Sequence, residues 1–127
     1  MATFNSTLLT LTSNANDAYN PTTGIGSTSL TNTLINQTRT TTFTFLNSSS
    51  DTIKLDHFSV ASNVEFGLLN TGTCQQGNTL NSGDSCTMIV QFNPLVPSQY
   101  SDALVIEYTK SQSTFIQTQT LNATGVN

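Results

Sequence analysis

Apolar side chains along this chain fall on alternate positions in short runs, and Asn, Ser, Gly and Pro residues separate those runs. The clearest run places Cys86, Met88, Val90 and Phe92 on one face of the chain and the intervening residues on the other. Alternation with a period of two is typical of a half-buried β-strand, and a helical period is absent almost everywhere. The pattern therefore predicts an all-β chain.

Seven segments carry the strand pattern, and a bulge interrupts one of them. In that segment the apolar positions shift from Ile53 and Leu55 to Phe58 and Val60, which indicates a β-bulge or a change of side. The polar stretch Ser13 to Gln37 is expected to be a long connection with at most one short edge strand. The predicted strands are Thr3 to Thr12, Arg39 to Leu46, Ile53 to Val60, Val64 to Leu69, Cys86 to Phe92, Leu104 to Tyr108 and Ser113 to Ala123.

The number and pattern of these strands predict the fold class. About seven to eight strands, each with one apolar face, are what two packed antiparallel sheets require. A chain of 127 residues is the ordinary size of one domain. We therefore predict a single immunoglobulin-like β-sandwich over residues 1–127.

Composition and charge exclude several classes of function. The chain holds 24 Thr, 15 Ser, 14 Asn and 8 Gln residues, almost half of its length, while charged residues make up 8% against about 25% in typical domains. Its three cations, Arg39, Lys54 and Lys110, cannot neutralise a row of phosphates, so no nucleic-acid partner is expected. No apolar run approaches the roughly 20 residues needed to span a bilayer, so no membrane insertion is expected either.

The two cysteines bear on the compartment. Cys74 and Cys86 are too far apart in sequence for a CxxC redox pair, and with only His57 to help they are too few for a four-ligand zinc site. A disulfide or two buried free thiols remain as alternatives. A disulfide would favour an oxidising compartment. No secretory leader is recognisable behind Met1, so an exported protein would have lost its leader.

Candidate catalytic chemistry is sparse. His57 is the sole histidine, so any Ser-His-Asp or Cys-His arrangement must use it, and no G-x-S-x-G motif presents a serine. A structural histidine is the simpler interpretation of His57. The seven carboxylates are scattered and form neither an acid–base pair nor a calcium loop by their spacing. We therefore expect no enzyme activity, no cofactor and no metal.

A series of landmarks runs in order through the segment from Phe43 to Gly125. They are Phe43-Thr44-Phe45-Leu46-Asn47, Cys74, Leu80-Asn81-Ser82-Gly83-Asp84-Ser85-Cys86, Phe92-Asn93-Pro94, Tyr100 to Ile106 and Leu121 to Gly125. In these landmarks the segment resembles the choice-of-anchor D and abnormal-spindle/hydin (ASH) group of immunoglobulin-like domains. The cysteine block joined to the Phe-x-Pro strand end is the most specific part of this resemblance. The resemblance favours a Cys74–Cys86 disulfide and implies a bacterial secreted or cell-surface module without catalytic residues.

These observations lead to one functional hypothesis and two alternatives. We expect a non-enzymatic secreted or cell-surface module for protein interaction, adhesion or envelope structure, which presents its loops or a sheet edge to an unidentified protein or cell-surface partner. The first alternative is an assembly subunit that exchanges strands with its neighbour or adds a strand to a sheet edge, because the isolated first strand, Thr3 to Thr12, is followed by a long polar connection. Few Lys residues protect the sheet edges against such association. The second alternative, the least favoured, is a small hydrolase using His57. The loop residues to examine first are Asn20, Thr23, Gln75, Gln76 and Asn78.

Overall fold

A computed structural model describes residues 9–20 and 25–127 of the chain and shows eleven strands in two sheets. The all-β, immunoglobulin-like sandwich predicted from the sequence is confirmed. The strands are β1 (Thr10–Ser13), β2 (Asn16–Asn20), β3 (Ile25–Ser29), β4 (Thr33–Leu34), β5 (Arg39–Leu46), β6 (Ile53–Val60), β7 (Phe66–Leu69), β8 (Thr79–Leu80), β9 (Ser85–Phe92), β10 (Ser98–Lys110) and β11 (Ser113–Val126).

One sheet has four strands in the order β1-β5-β9-β7, and all its pairs are antiparallel. The other has seven strands, in the order β2-β3-β11-β10-β6-β8, with β4 also paired to β11. This second sheet is mixed, because β3 and β4 run parallel to β11. The expectation of two purely antiparallel sheets therefore needs correction at these two pairs.

The stretch Ser13 to Gln37 differs most from the sequence expectation. It contains a β2–β3 hairpin and the two-residue strand β4 instead of a long connection with one edge strand. Short Thr-, Ser- and Gly-rich strands carry too few apolar residues to show a period, so sequence patterning does not reveal them. The predicted strand Thr3 to Thr12 is described from Leu9 onward, and its earlier part lies outside the described residues.

The core lies between the inward faces of the two sheets, and aromatic rings join them. The ring of Phe45 on β5 lies 6.0 Å from that of Tyr108 on β10. Phe92 on β9 stacks on Phe66 at 4.8 Å and meets the edge of Tyr100 at 5.6 Å. The four apolar residues that mark the face of β9 are all buried, as their alternation predicts.

The parity change in β6 is a bulge, as the sequence indicates. His57 pairs with Glu107 and Leu55 pairs with Tyr108, so Asp56 is an extra residue between them. The Asp56 carboxylate accepts a hydrogen bond of 2.6 Å from the hydroxyl of Thr109. Leu55 and Val60 are an odd number of residues apart and would lie on opposite faces of a regular strand, but the bulge lets both face the core.

Candidate functional site

The segment between Leu69 and Leu80 forms a loop that a disulfide ties to β9. Cys74 and Cys86 are joined, with their Cα atoms 4.8 Å apart and 7% of each residue exposed. The disulfide expected from the sequence is therefore present, and the alternative of two free thiols is not. The Cys74 N–H also donates to the Thr87 carbonyl at 2.9 Å, so the loop follows β9 beyond the end of β7.

A threonine pair strengthens this attachment. The Thr73 N–H donates to the Thr87 hydroxyl at 3.0 Å, and the Thr87 N–H donates to the Thr73 hydroxyl at 2.8 Å. Directly before this pair, a Cβ on Gly72 would lie 2.4 Å from the Thr87 carbonyl oxygen. Glycine is required at this position because the two backbones approach too closely for a side chain.

The other end of the loop is bound to the seven-stranded sheet. The Gly77 N–H donates to the Leu55 carbonyl at 2.6 Å, and the Leu55 N–H donates to the Asn78 carbonyl at 2.8 Å. Gly77 has a φ of +89°, a left-handed conformation that glycine adopts without strain. Because residues 72–74 hold β9 and residues 77–78 hold β6, the loop bridges the two sheets and is fixed at both ends.

A pocket of about 260 Å³ opens beside this pinned loop. Its apolar side chains come from β6, β7 and β9, while the loop supplies much of its polar rim. The described residues that line it are all uncharged. Such a site can hold an apolar side chain while carboxamides at the rim donate and accept hydrogen bonds. The apolar lining is Phe58, Leu68, Leu69 and Met88, and the polar lining includes Asn70, Gln75, Gln76 and Thr87.

The structure brings together only some of the predicted loop residues. Gln75 and Gln76 are exposed and line the pocket, and Asn78 is exposed beside them. Asn20 ends β2 at the opposite edge of the seven-stranded sheet, and Thr23 lies outside the described residues. Five strand spacings of about 4.8 Å separate β2 from β8, so these two strands lie about 24 Å apart across the sheet.

The candidate catalytic histidine lies away from this pocket's lining. His57 is exposed in the middle of β6, opposite Glu107. Within the described part of the chain, no group of three His, Cys, Asp or Glu side chains is placed to hold a metal ion. Over the same residues, no helix is long and apolar enough to cross a membrane.

Burial raises the pKa of Tyr108 to about 12, which keeps this core phenol neutral.

Sequence reasoning missed a set of buried polar side chains. Gln117 and Gln119 on β11, Thr28 on β3 and Asn47 after β5 are all buried. The sequence of β11 indicated the burial of Gln117 and Gln119, because they occupy the same alternate positions as the core residues Leu121 and Ala123. These side chains face inward, where each amide requires hydrogen-bond partners within the protein.

Comparison with known proteins shows the fold. No protein-family model and no curated protein matches the chain. Among solved structures, VesB protease of Vibrio cholerae matches 94% of this chain and 32% of its own, with a TM-score of 0.71 and 15% identity. The ASH/PapD-like domain of human CEP192 matches 92% of this chain and 85% of its own, with a TM-score of 0.60 and 11% identity. The secreted serine protease VesC of Vibrio cholerae matches 94% of this chain and 24% of its own, with a TM-score of 0.58 and 17% identity.

These similarities extend unequally over the matched proteins. The chain spans about a third of VesB and a quarter of VesC, whereas it spans most of the CEP192 domain. At such identities the similarity concerns the fold alone. The chain has an ASH/PapD-like, immunoglobulin-like fold.

Proposed function

We propose that this chain is an exported, non-enzymatic module of the choice-of-anchor D/ASH type that binds a protein or cell-surface partner through the pinned loop and its pocket. The single observation that carries the proposal is the fixing of this loop to both sheets beside an uncharged pocket with an apolar lining. A loop held in one conformation loses little conformational entropy on binding, which favours recognition.

The chemistry of the pocket indicates the kind of partner. The lining offers apolar contact from Phe58, Leu68 and Met88, and carboxamide hydrogen bonds from Gln75 and Gln76. The partner is then an uncharged segment with one apolar side chain that enters the pocket. Because the described lining contains no charge, we expect the affinity to depend weakly on salt concentration.

The disulfide supports export from the cytosol, since such bonds persist in oxidising compartments. The description of VesC as secreted is in keeping with this proposal. A thiol titration of protein isolated from its own host and unfolded without reductant tests it. We expect no reactive sulfhydryl, and two reactive sulfhydryls would contradict the extracellular proposal.

Peptide-display selection on the folded protein tests the binding site. We expect the selected peptides to bind the wild type and to lose affinity for a Gln75→Ala/Gln76→Ala double variant. The matched control is Gln99→Ala/Gln112→Ala, which removes two exposed glutamines outside the pocket and leaves affinity unchanged. Peptides that bind both double variants equally would exclude the pocket as the recognition site.

One observation favours assembly by strand addition as a second candidate function. Among residues 9–20 and 25–127, no strand pairs with residues 113–117 of β11 on the side away from β10. Ile116 is 63% exposed in this segment. We expect Ile116→Lys to shift a concentration-dependent oligomer toward monomer in size-exclusion chromatography with light scattering. A wild type that stays monomeric at all concentrations would exclude this candidate.

The hydrolase alternative has a direct test. A panel of ester and peptide substrates is assayed with wild type and His57→Ala, an exposed position where the substitution leaves the core unchanged. We expect no turnover by either protein. Turnover by the wild type that His57→Ala abolishes would overturn the non-enzymatic proposal.

A further inference from the structure

A chain of hydrogen bonds connects the β2–β3 hairpin to the last strand. The Thr28 hydroxyl on β3 donates to Oδ1 of Asp17 on β2 at 2.7 Å. On its other side, the same hydroxyl oxygen accepts a hydrogen bond of 3.0 Å from Nε2 of Gln119 on β11. Thr28 is fully buried and Gln119 is 7% exposed. A carboxylate, a hydroxyl and a primary amide therefore lie in a row, with the hydroxyl in contact with the other two.

The carboxylate is held in place by the bend that precedes β2. Asp17 Oδ2 accepts from the Ser13 N–H at 2.8 Å, and Oδ1 accepts from the Ser13 hydroxyl at 2.7 Å. The side chain of Asp17 is oriented by these two bonds while remaining exposed. A hydroxyl whose proton is directed at a fixed carboxylate has the arrangement of an activated oxygen nucleophile with its general base.

The amide of Gln119 is confined against this hydroxyl by the absence of a side chain at Gly26. A Cβ at Gly26 would lie 2.5 Å from Oε1, 3.0 Å from Nε2 and 3.1 Å from Cδ of Gln119. The carboxamide therefore occupies the space beside the backbone of Gly26, the β3 residue that pairs with Gln119. Cδ is bonded directly to Nε2, so the carbonyl carbon lies one covalent bond away from the atom that contacts the Thr28 oxygen. Confinement of this kind raises the effective concentration of the two groups.

The neighbouring inward-facing amide on β11 provides a contrast. Both ends of the Gln117 carboxamide are hydrogen-bonded to the backbone of Leu9, which offers no nucleophile. Only Gln119 meets a side-chain hydroxyl that also contacts a carboxylate, within the described part of the chain.

We propose that Thr28 and Gln119 form an intramolecular ester that covalently joins β3 to β11. Thr28 Oγ1 attacks Cδ of Gln119 while its proton passes to Asp17. The resulting tetrahedral carbon expels Nε2, which takes up the proton from Asp17 and leaves as ammonia. One C–O bond forms, one C–N bond breaks, nothing is oxidised or reduced, and Asp17 returns to its starting form.

The site and the solvent are sufficient for this reaction. Asp17 is exposed and connects the buried pair to water, which gives the proton and the ammonia a route of exchange. The product fastens the parallel β3–β11 pair, which otherwise relies on hydrogen bonds over four paired positions. Tension along the chain would then load a covalent bond at this pair.

Mass spectrometry of folded, purified wild type after incubation at neutral pH tests the proposal. After denaturation and reduction, we expect a mass lower than that of the sequence by one ammonia. Trypsin cuts only after Arg39, Lys54 and Lys110, so the ester would join peptide 1–39 to peptide 111–127. Both cysteines lie in peptide 55–110, so the disulfide does not affect this result. Hydroxylamine should separate the joined peptides.

Variants assign the roles of the residues. We expect Thr28→Ala and Gln119→Met to abolish the joined peptide, Asp17→Asn to slow its formation at least tenfold, and Thr28→Ser to retain it. Gln112→Ala, an exposed glutamine in the same tryptic peptide, is the control that should retain it.

The wild-type measurement decides without any variant. A full mass with separate peptides would overturn the proposal and leave only a hydrogen-bonded network. An ammonia loss with separate peptides would also overturn it, since it would place the loss at another residue. If Asp17→Asn formed the joined peptide at an unchanged rate, Asp17 would be excluded as the general base.

Discussion

The side-chain amide of Gln117 hydrogen-bonds both backbone groups of Leu9, accepting from the N–H at 2.9 Å and donating to the carbonyl at 2.7 Å. Both residues are buried, and they lie 108 positions apart in the chain. The Gln117 side chain thus makes the two backbone hydrogen bonds with Leu9 that a neighbouring strand would otherwise make. It links the four-stranded sheet, to which β1 belongs, with the central part of the seven-stranded sheet.

Replacement of this amide should weaken the fold. Gln117→Leu keeps the volume but leaves two buried backbone groups without partners, each of which costs about 1–3 kcal/mol. We expect the free energy of unfolding to fall by about 2–4 kcal/mol in urea titrations. The control Thr118→Ala, at an exposed neighbour on the same strand, should change it by less than about 0.5 kcal/mol. Equal stability of the two variants would contradict the role of the amide.

Asn47 should be equally important to the end of the sandwich that it occupies. Its fully buried amide donates to the Asp51 carbonyl at 2.7 Å and the Leu80 carbonyl at 2.9 Å, while its oxygen accepts from Ser49. Asn47→Ala should lower the free energy of unfolding by about 3 kcal/mol, because these partners lose their bonds. Ser48→Ala, at the exposed next position, is the matched control in the same urea titration. A loss of less than about 1 kcal/mol for Asn47→Ala would refute the prediction.

Tyr108 should make the fold sensitive to alkali. Its pKa is raised by burial from 10.0 to about 12, so the folded state holds this proton more tightly than the unfolded state. The stability that the protonated phenol contributes is therefore complete below pH 10 and is lost as the pH rises toward 12. The free energy of unfolding then decreases by about 3 kcal/mol. Urea titrations between these pH values should show a shallower decrease for Tyr108→Phe. Parallel decreases for the two proteins would show that another group is responsible.

Removal of the disulfide should affect the pinned loop before the rest of the protein. In the chain-entropy model, a closed loop of this length stabilises a fold by about 3 kcal/mol, and we expect a decrease of that size in Cys74→Ala/Cys86→Ala. Hydrogen exchange should show lost protection at Gly77, whose N–H bonds β6, while the core of β10 stays protected. Unchanged exchange at Gly77 would mean that the backbone bonds alone hold the loop.

The sequence predicted the parts of the fold in which long strands alternate clearly. The bounds of Arg39–Leu46 are those predicted, and the bulge in β6 follows from the shift between Leu55 and Phe58. A two-residue strand such as β4 or β8 has no period to detect, so pairing with a neighbour defines it. The parallel pairing of β3 with β11 depends on residues about 90 positions apart, which patterning along the chain does not reveal.

The candidate site was predicted only in part, for a similar reason. The cysteine spacing and the polar loop pointed to Gln75 and Gln76, which do line the pocket. Its apolar lining comes from separate strands, including Phe58 and Met88, so the cavity depends on tertiary packing. The contact between Thr28 and Gln119 likewise requires the β3–β11 register before two ordinary polar residues become neighbours.

The position of β11 inside its sheet sets an order of events during synthesis. This strand lies between β3 and β10, although it is the last strand along the chain. The early β2–β3 hairpin has no central strand to dock on until residues 113–126 have emerged from the ribosome. Such distant pairing slows folding, so the nascent polypeptide exposes unpaired strand edges for longer than a chain built of consecutive hairpins would.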